Sequence, residues 1–237
     1  MDIISSFIAI GATLVIVFVK LKIKIRITSI VVSLVMIKES FFYFISNMAT
    51  TAFGALNTLL IGIFITDLTL IAYWTVCNTV VSAIQSLYSP IINGVYPYMI
   101  KHKSLPYIHK ILIIVLPILF IGAIVGFFMS KFVLNLLGGE KYTGAYWVLR
   151  ALIPLLVVSF PAMLYGWPTL GSVGKVKETS LTTIITAVCQ VVGLFFLVLI
   201  KQFTLINIAL LRFATELVML GLRMFFTYKN KILFVNT

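Results

Sequence analysis

The sequence predicts an all-α, polytopic membrane protein with about seven spanning helices. Three observations carry this: 62% of the 237 residues are apolar, only 10% are charged, and the mean hydropathy is +1.17. A water-soluble domain carries roughly 25% charged residues. A soluble globule is therefore excluded, and with two cysteines and seven prolines so are a disulfide scaffold and a disordered tail. Spanning the hydrocarbon takes about 20 mostly apolar helical residues, because backbone amides left unpaired in lipid are costly. Seven stretches meet that length: residues 3–19, 41–65, 68–88, 111–129, 145–164, 181–200 and 206–226. None alternates in and out with the period of a barrel strand.

The first span opens on Met1-Asp2, with no positive n-region and no small-residue cleavage site, so a signal peptide is not expected. Residues 27–37 are too short to cross. Ile27, Ile30, Val31, Leu34 and Val35 fall on one helical face, which reads as an amphipathic surface helix or as an extension of the next span. In the second span Asn47, Thr51, Gly54, Thr58 and Gly62 lie within about 80° of one another at 100° per residue. Such a small-residue stripe suits close helix packing or the wall of a cavity. The third span repeats the pattern with Thr75, Asn78, Ser82, Gln85 and Ser89, where two amides favour a wet cavity wall. Ser89-Pro90, Asn93, Gly94 and Pro97 then predict a break or kink.

The outer connection 130–144 is expected as a loop. The fifth span carries Arg150, with Pro154 and Pro161 each removing an amide and displacing the carbonyl four residues back. The pattern fits a transporter's broken helix, or an arginine that snorkels to the headgroups beside Tyr146 and Trp147. The last span places Arg212, Glu216 and Arg223 within about 40° of one another. A single charge at a helix centre costs about 2.5–3.5 kcal/mol on insertion scales. Arg212 and Glu216 are also an i,i+4 pair, so a structural ion pair with Arg223 snorkelling is the plain alternative to a site.

Eighteen bases face six acids, a net charge of +12. Twelve bases (Lys20, Lys22, Lys24, Arg26, Lys38, Lys101, Lys103, Lys110, Lys175, Lys177, Lys229 and Lys231) fall in loops on one side. Lys131, Lys141 and Lys201 fall on the other. The richer side is expected in the cytoplasm, which puts the N-terminus outside and the C-terminus inside. The charge is an orientation signal, so no nucleic-acid partner is expected. An odd helix count with an external start suggests the C-terminal part of a longer protein.

Catalytic chemistry is not expected. His102 and His109 stand among lysines in a predicted loop without a nearby acid, and Asp2, Glu39, Asp67, Glu140, Glu178 and Glu216 are scattered singly, with no metal-ligand spacing. Gly171 to Lys175 (GSVGK) lacks the Walker spacing and reads as a tight turn. Cys77 and Cys189 lie in spans as small apolar residues. The chain is read as no enzyme and as needing neither cofactor nor metal. If the polar faces line a cavity, three guanidinium groups against one carboxylate would attract an anion of the phosphate or pyrophosphate class.

Residues 57–64 (NTLLIGIF), 83–90 (AIQSLYSP), 96–99 (YPYM), 138–142 (GGEKY) and 145–150 (AYWVLR) together resemble O-antigen and polysaccharide flippases of the Wzx type. These belong to the multidrug/oligosaccharidyl-lipid/polysaccharide exporter superfamily. The resemblance implies a twelve-helix transporter of two six-helix lobes. Residues 1–40 would then be the last helix of the N-terminal lobe plus an amphipathic linker, and residues 41–237 the C-terminal six-helix lobe; the other five helices of the N-terminal lobe are missing. It implies flipping of undecaprenyl-pyrophosphate-linked oligosaccharide across the bacterial inner membrane by an ATP-independent, ion-coupled mechanism. Arg150 and Arg212 would contact the pyrophosphate or acidic sugars and Glu216 would act as a switch, with Asn47, Asn78 and Gln85 on the cavity walls. The partners implied are the lipid-linked oligosaccharide, membrane lipids and the missing lobe. The alternatives are a cation-coupled multidrug exporter, which should line its lobe with carboxylates, and a non-transporting membrane scaffold for polysaccharide assembly. The scaffold predicts that Asn78, Gln85, Arg212 and Glu216 meet other helices directly.

Overall fold

The computed structural model describes residues 55–234, together with Gly11, Thr13, Ser29, Leu34, Ile37, Phe41, Phe44, Ile45 and Met48. The chain divides into two compact units, Met1–Phe41 and Phe42–Thr237. But for isolated positions, the expected span 3–19, the amphipathic segment 27–37 and the first half of the span 41–65 lie outside the described residues, as do Asn47, Thr51 and Gly54.

In the second unit eight α-helices are described: α1 (Ala55–Phe64), α2 (Leu68–Ser86), α3 (Tyr88–His102), α4 (Leu105–Phe128), α5 (Ser130–Gly138), α6 (Tyr146–Leu164), α7 (Val176–Leu199) and α8 (Leu205–Lys229). No β-strand occurs among the described residues. Five helical segments are long and apolar enough to cross a membrane: Leu68–His102, Leu105–Phe128, Glu140–Val173, Val176–Leu199 and Leu205–Lys229. Each covers one of the last five spans expected from the sequence. The described part of the expected second span, α1, is short, so the count of seven is not reached within the described residues.

The helix boundaries follow from local chemistry. Asp67 is extended and accepts a hydrogen bond from the Thr69 amide at 2.8 Å, capping α2. Thr204 caps α8 in the same way, accepting from the Asn207 amide at 3.3 Å. Pro106 sits in the first turn of α4, where its missing amide costs nothing. Gly174 takes φ +79 in the 171–175 turn, a backbone conformation that suits glycine.

Three expectations are corrected. Of the break or kink expected from Ser89-Pro90 onward, the break does not occur: α2 passes through a turn at Leu87 into α3, with Pro97 inside the helix. Pro90 is tolerated because it falls in the first turn of α3, where the amide has no intrahelical partner. The outer segment 130–144 is not a loop, since α5 and a 3₁₀ turn, Glu140–Ala145, fill it. The lysine- and histidine-rich segment is helical on both sides of Lys103, with His102 ending α3 and His109 in α4.

The core is built around α6. Eleven of its residues, including Leu149, Leu152, Leu155 and Phe160, are buried against α2, α4 and α8. Trp74, Cys77 and Val81 of α2 and Ile208 of α8 complete one apolar cluster. Tyr88, Met99, Ile108, Phe160 and Tyr165 form a second, nearer the α3–α4 end. The Tyr88 ring meets Phe160 edge-on at 5.4 Å, and its hydroxyl donates to the Leu156 carbonyl at 3.0 Å. By contrast α4, the most apolar segment, has no buried residue in its most hydrophobic window. A helix apolar all round yet uncovered by protein is one that faces lipid.

Candidate functional site: the polar groups inside the bundle

Arg212 lies near the middle of α8, half-buried, and its Nη1 donates to Oδ1 of Asn78 on α2 at 2.5 Å. The remaining guanidinium hydrogens meet no acceptor among the described residues. Glu216, one turn further along α8, is half-buried too. The i,i+4 ion pair expected with Arg212 does not form: among the described residues the only ion pair within 4 Å joins Lys175 and Glu178, at 3.1 Å. Arg212 turns instead to the uncharged amide of Asn78, and no cation among the described residues stands within 4 Å of the carboxylate, although Arg223 and Arg212 both act on it from further off.

The polar face of α2 that carries Asn78 is the one least covered by protein. Thr75 and Ser82 are exposed, as is Ser89 in the first turn of α3, and Asn78 and Gln85 are half-buried. The Thr75 hydroxyl donates to the Ile71 carbonyl and Thr79 to that of Thr75, both at 2.9 Å, so part of the stripe is satisfied within its own helix. Gln85 donates to nothing among the described residues. At Gly62, where the stripe of the second span suggested close helix packing, an added Cβ would meet only open space.

Deeper in the bundle lie two further, largely buried polar networks. Gln190 of α7 has no exposed surface; its Nε2 donates to Oδ1 of Asn57 on α1 at 2.9 Å, and its Oε1 accepts from the Thr215 hydroxyl of α8 at 2.9 Å. One amide thus ties three helices together. Arg223, expected either to share the anion site or to snorkel to the surface, does neither, being only 6% exposed. Its Nε donates to the Thr182 hydroxyl at 3.2 Å, Nη2 to the Thr183 hydroxyl at 3.0 Å and Nη1 to the Ala162 carbonyl at 2.6 Å. The two threonines spend their own hydrogens on the Thr179 carbonyl, so their lone pairs are free to accept.

The seat for this guanidinium is a break in the central helix. After α6 the chain forms a wider π turn, Tyr165–Leu170, in which Gly166 leaves helical geometry at ψ −114. A Cβ on Gly166 would lie 2.8 Å from Nη1 of Arg223. Pro168 removes the amide that would bond the Leu164 carbonyl, and the Thr169 hydroxyl replaces it at 2.8 Å. The sequence pointed to prolines 154 and 161 as the breaks, yet both lie inside α6 and the helix continues through them. The signal for the true break was present as Gly166-Trp167-Pro168, one turn beyond the expected end of the span.

Arg150 is set apart from Arg212. Its Nε donates to the Phe127 carbonyl at 2.9 Å and to the Ser130 hydroxyl at 3.0 Å, where α4 passes into α5. The guanidinium carbon stands 4.7 Å from the centre of the Phe127 ring and 5.0 Å from that of Tyr146. Of the six residues read as site candidates, the structure brings Arg212 and Asn78 into contact, keeps Gln85 on the same face of α2 and Glu216 one turn along α8, and holds Arg150 at another corner; Asn47 lies outside the described residues.

The histidines take part in ring contacts: His102 stacks on Tyr98 at 4.4 Å, and His109 is hydrogen bonded to the Tyr228 hydroxyl at 3.3 Å. Cys77 is buried and Cys189 exposed, and both are free thiols. Among the described residues no three His, Cys, Asp or Glu side chains gather closely enough to hold a metal ion. The chain matches no protein-family profile, no curated protein and no solved structure.

Proposed function

We propose that this chain is one lobe, with one further helix, of a flippase that moves an undecaprenyl-pyrophosphate-linked oligosaccharide across the bacterial inner membrane. The observation that carries the reading is the uncovered polar face of α2 with the half-buried Arg212 beside it. Thr75 and Ser82 are exposed seven and fourteen residues into a membrane-length helix, roughly 10 and 21 Å along its axis. Polar groups at that depth are costly against lipid, so the face needs a wet groove or a second lobe to cover it. A cation with unused donors at such a groove suits a pyrophosphate, whose charge and oxygens match a guanidinium fork. The two lobes would close alternately around the headgroup while the lipid tail stays in the bilayer, and Glu216, free of a fixed ion pair, would gain or lose a proton between the two states.

The test is direct binding of undecaprenyl-pyrophosphate oligosaccharide by the purified chain in detergent, compared with Arg212→Ala. Loss of one charge-assisted contact predicts about tenfold or more weaker binding. Equal affinity of the two proteins would remove Arg212 from the site and the reading with it.

A second reading is favoured by one contact. Arg212 meets Asn78 directly across the α2–α8 interface, as a non-transporting scaffold for polysaccharide assembly would have it. The two readings differ in whether water reaches the face of α2.

A further inference from the structure

The corner that holds Arg150 has a different character from the face of α2 and stands independently of the transport reading. Nε of Arg150 is committed to the Phe127 carbonyl and the Ser130 hydroxyl, which fixes the plane of the guanidinium. The four Nη hydrogens then meet no acceptor among the described residues. Lys131, exposed at the start of α5, places its ammonium 4.7 Å from the centre of the same Tyr146 ring that Arg150 packs on. Lys141 lies over Tyr142 at 5.0 Å on the adjoining turn. Glu140 is the carboxylate of this corner, and it forms no ion pair within 4 Å among the described residues. Three cations held by aromatic rings, with no acid pairing any of them, call for an anion from outside the chain.

Directly beneath, toward the middle of α4 and α6, runs an apolar groove of about 360 Å³. Ala123, Ile124 and Phe127 of α4, Pro154 and Val157 of α6, and Phe213 of α8 line it. Phe127 belongs to both sites, as a wall of the groove and as one of the rings under Arg150. Beside the cations α5 turns Phe132, Leu136 and Leu137 outward, the last two 74% and 63% exposed, as a helix lying along the headgroup boundary would.

We propose that this corner is a binding site for an anionic glycerophospholipid of the surrounding membrane. The phosphodiester accepts from the Nη groups of Arg150 and pairs with Lys131, and one acyl chain lies in the groove between α4 and α6. Charge complementarity selects an anionic headgroup: a zwitterionic lipid would bring its own ammonium among three cations. The head site and the groove are joined through Phe127, so a single molecule fills both. Bound there, the lipid would brace the C-terminal half of α4 against α6.

The experiment is native mass spectrometry of the purified chain in detergent, titrated separately with dioleoyl phosphatidylglycerol, dioleoyl phosphatidylcholine and inorganic phosphate. Phosphatidylglycerol should bind about tenfold more tightly than phosphatidylcholine, and inorganic phosphate, lacking the acyl anchor, should not bind over the same range. Arg150→Gln with Lys131→Gln should bring the two lipids level. Because Arg150 also caps the end of α4, Lys131→Gln alone serves as a control whose exposed side chain is not needed for folding; it should lose part of the preference. Ile124→Trp fills the groove and should weaken both lipids while leaving the headgroup preference intact. An unchanged preference in the double variant, unchanged binding in Ile124→Trp, or binding of inorganic phosphate as tight as that of phosphatidylglycerol would each overturn the site.

Discussion

Arg223 shows how a charge can be kept inside an apolar bundle with no carboxylate within 4 Å among the described residues, Glu216 acting on it only from further off. Its three hydrogen bonds go to oxygens whose lone pairs are already oriented: one carbonyl beside the break after α6 and two threonine hydroxyls anchored on Thr179. Replacing it with Met keeps much of the volume and orphans the buried Ala162 carbonyl, so Arg223→Met should destabilise the chain by about 2–4 kcal/mol, read as thermal unfolding in detergent. Gly166→Ala should cost about 1–3 kcal/mol by the same measurement, because the new methyl meets a guanidinium pinned at three points that cannot step aside. If Gly166→Ala in the background of Arg223→Met costs as much as it does alone, the close approach is not the reason that glycine stands there. The sequence placed Arg223 on the right face of its helix but could not say whether that face met lipid, water or a broken helix. That depends on Ala162, Thr182 and Thr183, which lie 61, 41 and 40 residues away along the chain.

Among the helices, length and hydropathy alone mark each of the last five spans. The irregular joints between them were read less well, because prolines act according to position. Pro90 falls in a first turn, and Pro154 and Pro161 are absorbed within α6, whereas Pro168 acts together with Gly166 and so belongs to a real break. The hydroxyl of Thr169 heals that break by supplying the donor that Pro168 lacks. Thr169→Val, nearly the same in shape, should therefore lower stability by about 1–2 kcal/mol in thermal unfolding, against an effect near zero for an exposed threonine such as Thr79. The short helix α5 escaped the reading because nine residues are too few to give a spanning signal. Leu134 faces inward and Phe132 and Leu136 outward, but all three are apolar, so the residues alone do not tell the two faces apart.

For the molecule as a whole, the polar stripe of α2 was legible as a stripe, and its neighbour Arg212 as a charge on the matching depth of α8. Their contact was not, since 134 residues separate Arg212 from Asn78. Whether the stripe is wet is a property of the assembled protein in its membrane. With Cys77 and Cys189 replaced by Ala, a Ser82→Cys variant reconstituted in phospholipid vesicles should react with a membrane-impermeant maleimide if the face lines an aqueous groove. A cysteine that stays unlabelled there while one at the exposed Lys177 reacts would support the scaffold. The bare outer face of α4 has a consequence of its own. Where its outward positions meet no protein, one aliphatic residue is nearly as good as another, and those positions are free to drift between isoleucine, leucine, valine and phenylalanine. Its inner side is tied to a particular spelling by the buried Leu105, Ile108 and Leu112, by Gly126, where the side chain of Ile153 comes close, and by the carbonyl that receives Arg150.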